Sequence, residues 1–127
     1  MVSKEKLYEA FGELVYAVAK ADGIVQNEEV EMLHNLLSNH TWASEIEWSF
    51  SYENSKNHSV AHVYKKALDV FQEHGPDAEY TFFVEVMELI ANSNAGTAAS
   101  EQKVIDDFQR DLLQKFKGDL NLIGNEE

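Results

Sequence analysis

Leu7, Phe11, Leu14, Val15 and Val18 recur at the spacing of one helix face, with Lys and Glu between them, and predict an amphipathic helix from Ser3 to Ala21. Asp22-Gly23 breaks it, because glycine supplies the positive φ that a helix exit commonly uses. Asn27 then reads as an N-cap, with Glu28, Glu29 and Glu31 in the first turns, where the helix dipole favours anions. This second helix runs to about Ser38 on a stripe of Val30, Leu33, Leu36 and Leu37. Thr41 to Glu53 carries two periods at once: Ile46, Trp48, Phe50 and Tyr52 alternate as in a strand, while Trp42, Ile46 and Phe50 fit a helical stripe. Helix or irregular turn is favoured, since an isolated strand needs a partner that the chain does not offer. Asn54 to His58 reads as a polar connector.

Val60, Val63, Tyr64, Ala67, Leu68 and Phe71 mark a further helix closed at Gly75, and Pro76 stands where a helix starts. From Asp77 a helix carries Tyr80, Phe83, Val86, Met87 and Ile90 to the small-residue stretch Asn92–Ala99. Ser100 reads as the cap of the last long helix, on Val104, Ile105, Phe108, Leu112 and Phe116, and the tail after Gly118 reads as loose. The expectation is an all-α fold: one compact domain over residues 1–127, with about six or seven helices.

Shifted by 72 residues, the chain lies on itself without a gap. Tyr8 meets Tyr80, Phe11 Phe83, Leu14 Val86, Val15 Met87, Val18 Ile90, Ala19 Ala91, Glu29 Glu101, Met32 Val104, Leu33 Ile105 and Leu36 Phe108. Two helix–loop–helix units, approximately 3–38 and 77–117, are therefore expected to form a pseudo-two-fold repeat.

Ala17-Val18-Ala19-Lys20-Ala21-Asp22-Gly23, followed by Glu28 and Glu29 opening a helix, resembles the signature of the TerB-like tellurite-resistance domain family. Ile90-Ala91-Asn92-Ser93-Asn94 and Glu101 stand where that family has a second apolar-Ala-x-x-Asp-Gly copy, with Asn94 departing from its aspartate. The resemblance covers about two-thirds of the chain and leaves Thr41 to His58 unmatched. It implies an all-helical domain with internal pseudo-symmetry and a role in stress response. It also implies divalent-cation binding by acidic residues of the two loops, and work with membrane-associated protein partners. A similar domain occurs in DnaJ-type co-chaperones, and no established enzymatic activity accompanies the family.

Twenty-three acidic against 10 basic side chains leave a net charge of -13, which disfavours nucleic acid and anionic lipid as partners and suits cations or basic protein surfaces. The absence of cysteine excludes disulfides, thiolate metal sites and a cysteine nucleophile, and with them direct thiol reduction of tellurite. The start MVSKEKLYEAF has no apolar h-region, and no apolar run approaches the roughly 20 residues of a membrane span, so a cytoplasmic protein without direct membrane insertion is expected.

The candidate chemistry is carboxylate chemistry. Asp22 and Glu29 flank a glycine turn, and a two-fold copy would bring Asn94 and Glu101 beside them, an all-oxygen set suited to Ca²⁺ or another divalent cation, with Glu28 as an alternative ligand. The competing reading leaves Asp22 to backbone amides and Glu28 and Glu29 to the helix dipole. An EF-hand is excluded, because its first and third loop positions would be Val18 and Lys20. His58 and His62 are four apart with no third ligand timed to them, and read as a solvated pair. Trp42 and Trp48 read as core or interface anchors. Neither a nucleophile elbow nor a phosphate loop is present. A non-catalytic partner-binding module leads. A metal-dependent hydrolase using the carboxylates, or a plain acidic assembly domain, stands as the alternative.

Overall fold

The computed structural model describes residues 3–21, 23–75, 77–93 and 99–124, with side chains as far as residue 112. Six helices follow in order: α1 Lys4–Lys20, α2 Asn27–Leu36, α3 Ala43–Lys56, α4 Val60–His74, α5 Glu79–Ala91 and α6 Ala99–Gly124. Among the described residues there is no strand. The two-period segment is helical: Ile46 and Phe50 of α3 are buried, Trp42 packs half-buried at its start, and Trp48 and Tyr52 face outward.

The first helix is more than amphipathic. From Leu7 to Ala19 every residue except Glu9 and Glu13 is buried, because α1 lies against α3, α4, α5 and α6 together. Its small residues make this possible. At Gly12 an added Cβ would run into the carbonyl oxygen of Ile46 and stand 2.9 Å from the Ser49 Cβ, so a glycine there lets α3 reach the backbone of α1. Ser49 fastens the approach by donating its hydroxyl to the Glu9 carbonyl at 2.6 Å. Phe11 and Phe83 stack at 4.0 Å with planes 11° apart, placing α1 and α5 in one core that Phe71 and Phe108 close from α4 and α6.

Side-chain hydroxyls tie the helices at their ends. Tyr16 donates to the His58 carbonyl at 2.8 Å and Tyr64 to Asp111 at 2.6 Å, which links α1 to the α3–α4 turn and α4 to α6. Local signals set most boundaries. Ser3 and Ser59 cap α1 and α4 by accepting from Lys6 and His62, and Asn57, at φ 53, ends α3 in the left-handed conformation that asparagine tolerates.

Several boundaries differ from the sequence reading. Gln26, not Asn27, is the N-cap of α2. Asn54 to Lys56 belong to α3, which leaves residues 57–59 as the connector. Ser100 lies within α6, whose helical backbone continues past Gly118 to Gly124. Val30 is 42% exposed, and Glu29 takes the buried place instead. Pro76 and the Phe116 side chain lie outside the described residues. No helix among the described residues is long and apolar enough to cross a membrane.

Candidate functional site

The five residues of the expected cation site divide sharply. Asp22 and Asn94 lie outside the described residues. Glu28 is exposed on the first turn of α2, while Glu29 beside it and Glu101 on the first turn of α6 are buried, at 0% and 1% exposure. Both occupy core positions of their stripes. Glu29 precedes Leu33 and Leu37 at helical spacing, and Glu101 precedes Ile105, Phe108 and Leu112, so the period that buries the leucines buries the carboxylates too. One oxygen of Glu29 accepts the Gln26 backbone N–H at 2.8 Å, the return half of a capping box. Helix capping is therefore part of its work. Among the described residues no three His, Asp or Glu side chains gather as a cation site.

The burial pattern agrees with the 72-residue offset at some pairs and not at others: Tyr8 is buried against a half-buried Tyr80, and Phe108 is buried against a half-buried Leu36. Phe11 and Phe83, Leu14 and Val86, Val15 and Met87, Val18 and Ile90, Ala19 and Ala91, Leu33 and Ile105, and Glu29 and Glu101 are buried pair by pair. Packing crosses between the units: α1 lies on α6 and α2 on α5.

Two further polar clusters escape a pattern search for motifs. In the first, Glu53 is 1% exposed on the inner face of α3; it accepts Nδ1–H of His58 at 2.6 Å and the ammonium of Lys66 at 2.8 Å, and Lys66 also reaches Glu13 at 3.1 Å. Burial alone would raise the Glu53 carboxyl, but the hydrogen bonds and charges of Lys66 and His58 outweigh it and hold it below the usual carboxylate range. Burial dominates at Glu13 and pushes it up, with Lys66 offsetting only part. Burial would lower Lys66, and its two carboxylates raise it instead. The sequence held a signal for this: Glu53 continues the Ile46–Phe50 stripe at i+3, and Glu13 is the one charged residue between Ala10 and Ala19.

In the second cluster, Glu79 Oε1 accepts both the Tyr8 hydroxyl at 2.7 Å and the His40 Nε2–H at 3.1 Å. The backbone N–H of Trp42 donates to His40 Nδ1 at 3.0 Å, which fixes the tautomer, and Trp42 stacks on Tyr8 at 5.2 Å. Nearby, Asp77 is held low first by the Glu79 backbone N–H, then by His74 and Lys4 against its partial burial. His40 is thus half-buried between Tyr8, Phe82 and Glu79.

His58 and His62 have rings 5.8 Å apart, with His58 before the helix and engaged by Glu53. Trp42 is packed against the core, whereas Trp48 is 62% exposed. Two of the open clefts are lined by carboxylates among other residues, Glu5, Glu9 and Glu45 in one and Glu31 and Glu47 in the other, and a third between α5 and α6 is mostly apolar, lined by Tyr80, Val84, Phe108 and Leu112. No protein-family model, curated protein or solved structure matches the chain, so its chemistry is read from these residues alone.

Proposed function

We propose that this chain is a non-catalytic, cytoplasmic stress-response module resembling the TerB-like tellurite-resistance domains. It acts by binding a protein partner, including a membrane-associated one, and by holding a divalent cation between its two loops. In this reading units 3–38 and 77–117 are related by a pseudo-two-fold axis. The observation that carries it is the pair Glu29 and Glu101: equated by the offset, each in the first turn of its helix, and each buried on the core stripe of that helix. The crossed packing of α1 on α6 and α2 on α5 supports the same axis. Asp22 and Asn94 would supply the loop ligands and Glu28 an outer one, with Ca²⁺ favoured by the all-oxygen set.

The test is a thermal melt with Ca²⁺, Mg²⁺ or Zn²⁺ added to chelator-treated protein, against NaCl of matched ionic strength. A cation that binds only the folded state stabilises it by about 2.7 kcal/mol at a hundred times Kd, which is a rise of several degrees. Asp22→Asn/Glu29→Gln should abolish the Ca²⁺-specific part. An identical response in the double variant rejects the cation site and leaves partner binding alone.

A further inference from the structure

Among the described residues, the outer face of α3 is where large aromatic surface stands open beside concentrated charge. Trp48 is 62% exposed and Tyr52 40%, and their rings stack at 5.5 Å with planes 15° apart. A stacked pair presents a broad π surface and loses little conformational freedom on contact, which is what an interface anchor requires. Tyr52 already takes a cation from its own chain: the Lys56 ammonium stands 5.8 Å from the ring centroid. Trp48 borders a cleft of about 430 Å³ whose other walls are Glu5, Glu9, Ser44 and Glu45, so α1 and α3 line it with three carboxylates and a hydroxyl. Glu47, next to Trp48, turns away to pair with His34 at 2.8 Å and does not enter this cleft.

We propose that this face docks a basic segment of a protein partner, one arginine or lysine lying on Trp48 and its neighbours entering the carboxylate-lined cleft between α1 and α3. The proposal rests on the partner-binding reading above and gives that partner a chemistry and a place. Charge complementarity decides the occupant. The cleft is acidic, and a second copy of this chain, at -13, would set like charges against each other. Indole is the strongest aromatic partner for a cation, and arginine the commonest cation found on it. Burial, followed by repulsion from Glu5 and Glu45, pushes the Glu9 carboxyl up against the pull of Lys6. An incoming cation would relieve that crowding.

The probe is a short, end-capped peptide of alternating arginine and glycine, titrated into the full chain at fixed ionic strength with EDTA present and followed by tryptophan fluorescence and amide chemical shifts. Trp48→Ala should weaken binding roughly threefold to fivefold, and Glu9→Gln/Glu45→Gln about tenfold. Glu85→Gln/Glu88→Gln, exposed on α5, should leave it within about twofold. Because Trp48 is exposed, its alanine variant should melt with the wild type, which keeps a binding loss distinct from unfolding. Binding that ignores Trp48→Ala, or that the α5 pair weakens equally, overturns the docking face and leaves partner binding elsewhere intact. A wild type that takes no basic peptide, or whose face proves to bind a second copy in a Trp48-dependent dimer by sedimentation, overturns it as well. EDTA keeps either outcome separate from the Ca²⁺ response.

Discussion

Glu53 and Glu13 share one ammonium and have opposite relations to stability. Glu53 is ionised at a folded pKa below its unfolded value, so its contribution is present above about pH 4.3 and is lost as pH falls through the folded value. Glu13 is raised, so its contribution is largest in acid and is lost as pH climbs through its folded value. Lys66→Met removes the charge that Glu53 depends on. With Lys66 40% exposed, the expected loss at pH 7 is about 1–2 kcal/mol in urea unfolding. That gap should narrow towards pH 4, where Glu53 in the variant protonates. A gap constant with pH would show that the lysine contributes only its aliphatic packing. Glu13→Gln, by contrast, should melt close to the wild type at neutral pH. The burial of all these acids was legible at one level and hidden at another. Glu29, Glu53 and Glu101 sit on helical stripes that the sequence displays, yet a stripe read only for apolar residues assigns such positions to solvent and moved Val30 inward in Glu29's place.

At the scale of the element, α1 and α3 decide each other's placement through Gly12. Alanine there gains helix propensity of about 1 kcal/mol, but its Cβ would collide with a backbone carbonyl that has no rotamer to yield. The net expectation for Gly12→Ala is a loss of about 1–3 kcal/mol and a lower urea midpoint at unchanged m. A stabilised variant would mean that the two helices stand farther apart. The stripes of α1, α4, α5 and α6 were readable because each is a helix with polar residues on at least one side. The segment from Thr41 to Glu53 was legible only as a preference for helix or irregular turn over strand, for a physical reason: α3 buries Ile46 and Phe50 and also exposes Trp48 and Tyr52, so apolar residues occupy both faces and the helical and alternating periods overlap. Only contact with α1 separates them. The cluster around Glu79 joins residues up to 71 positions apart and is a product of the fold, whereas around Lys66 the spacing announces the burial of Glu53 but not the lysine it shares with Glu13.

The whole molecule carries 23 acidic and 10 basic side chains, and self-repulsion should cost it stability at low ionic strength. Raising NaCl from about 10 to 150 mM, which shortens the screening length from about 30 to 8 Å, should raise the melting temperature by a few degrees. A flat response would mean that pairs such as Lys103–Asp107 and Lys66–Glu53 already neutralise the field locally. That baseline is also the control for Ca²⁺, whose specific effect must exceed it.

A helix enclosed by four others has its own relation to time. The amides at the middle of α1, from Leu14 to Val18, have no partial opening that admits water, since freeing them requires displacing α3, α4, α5 and α6 together. In native-state hydrogen exchange they should form the slowest class, with a denaturant dependence equal to that of global unfolding. The amides of α2, which rests mainly on α5 and α3, should exchange sooner through sub-global opening. If α2 and mid-α1 exchanged at one rate, the chain would open as a single unit. An α2 that opens before the middle of α1 places its deprotection in events that leave the central helix closed, so the segment bearing Glu28 and Glu29 can respond to a ligand without the core registering it.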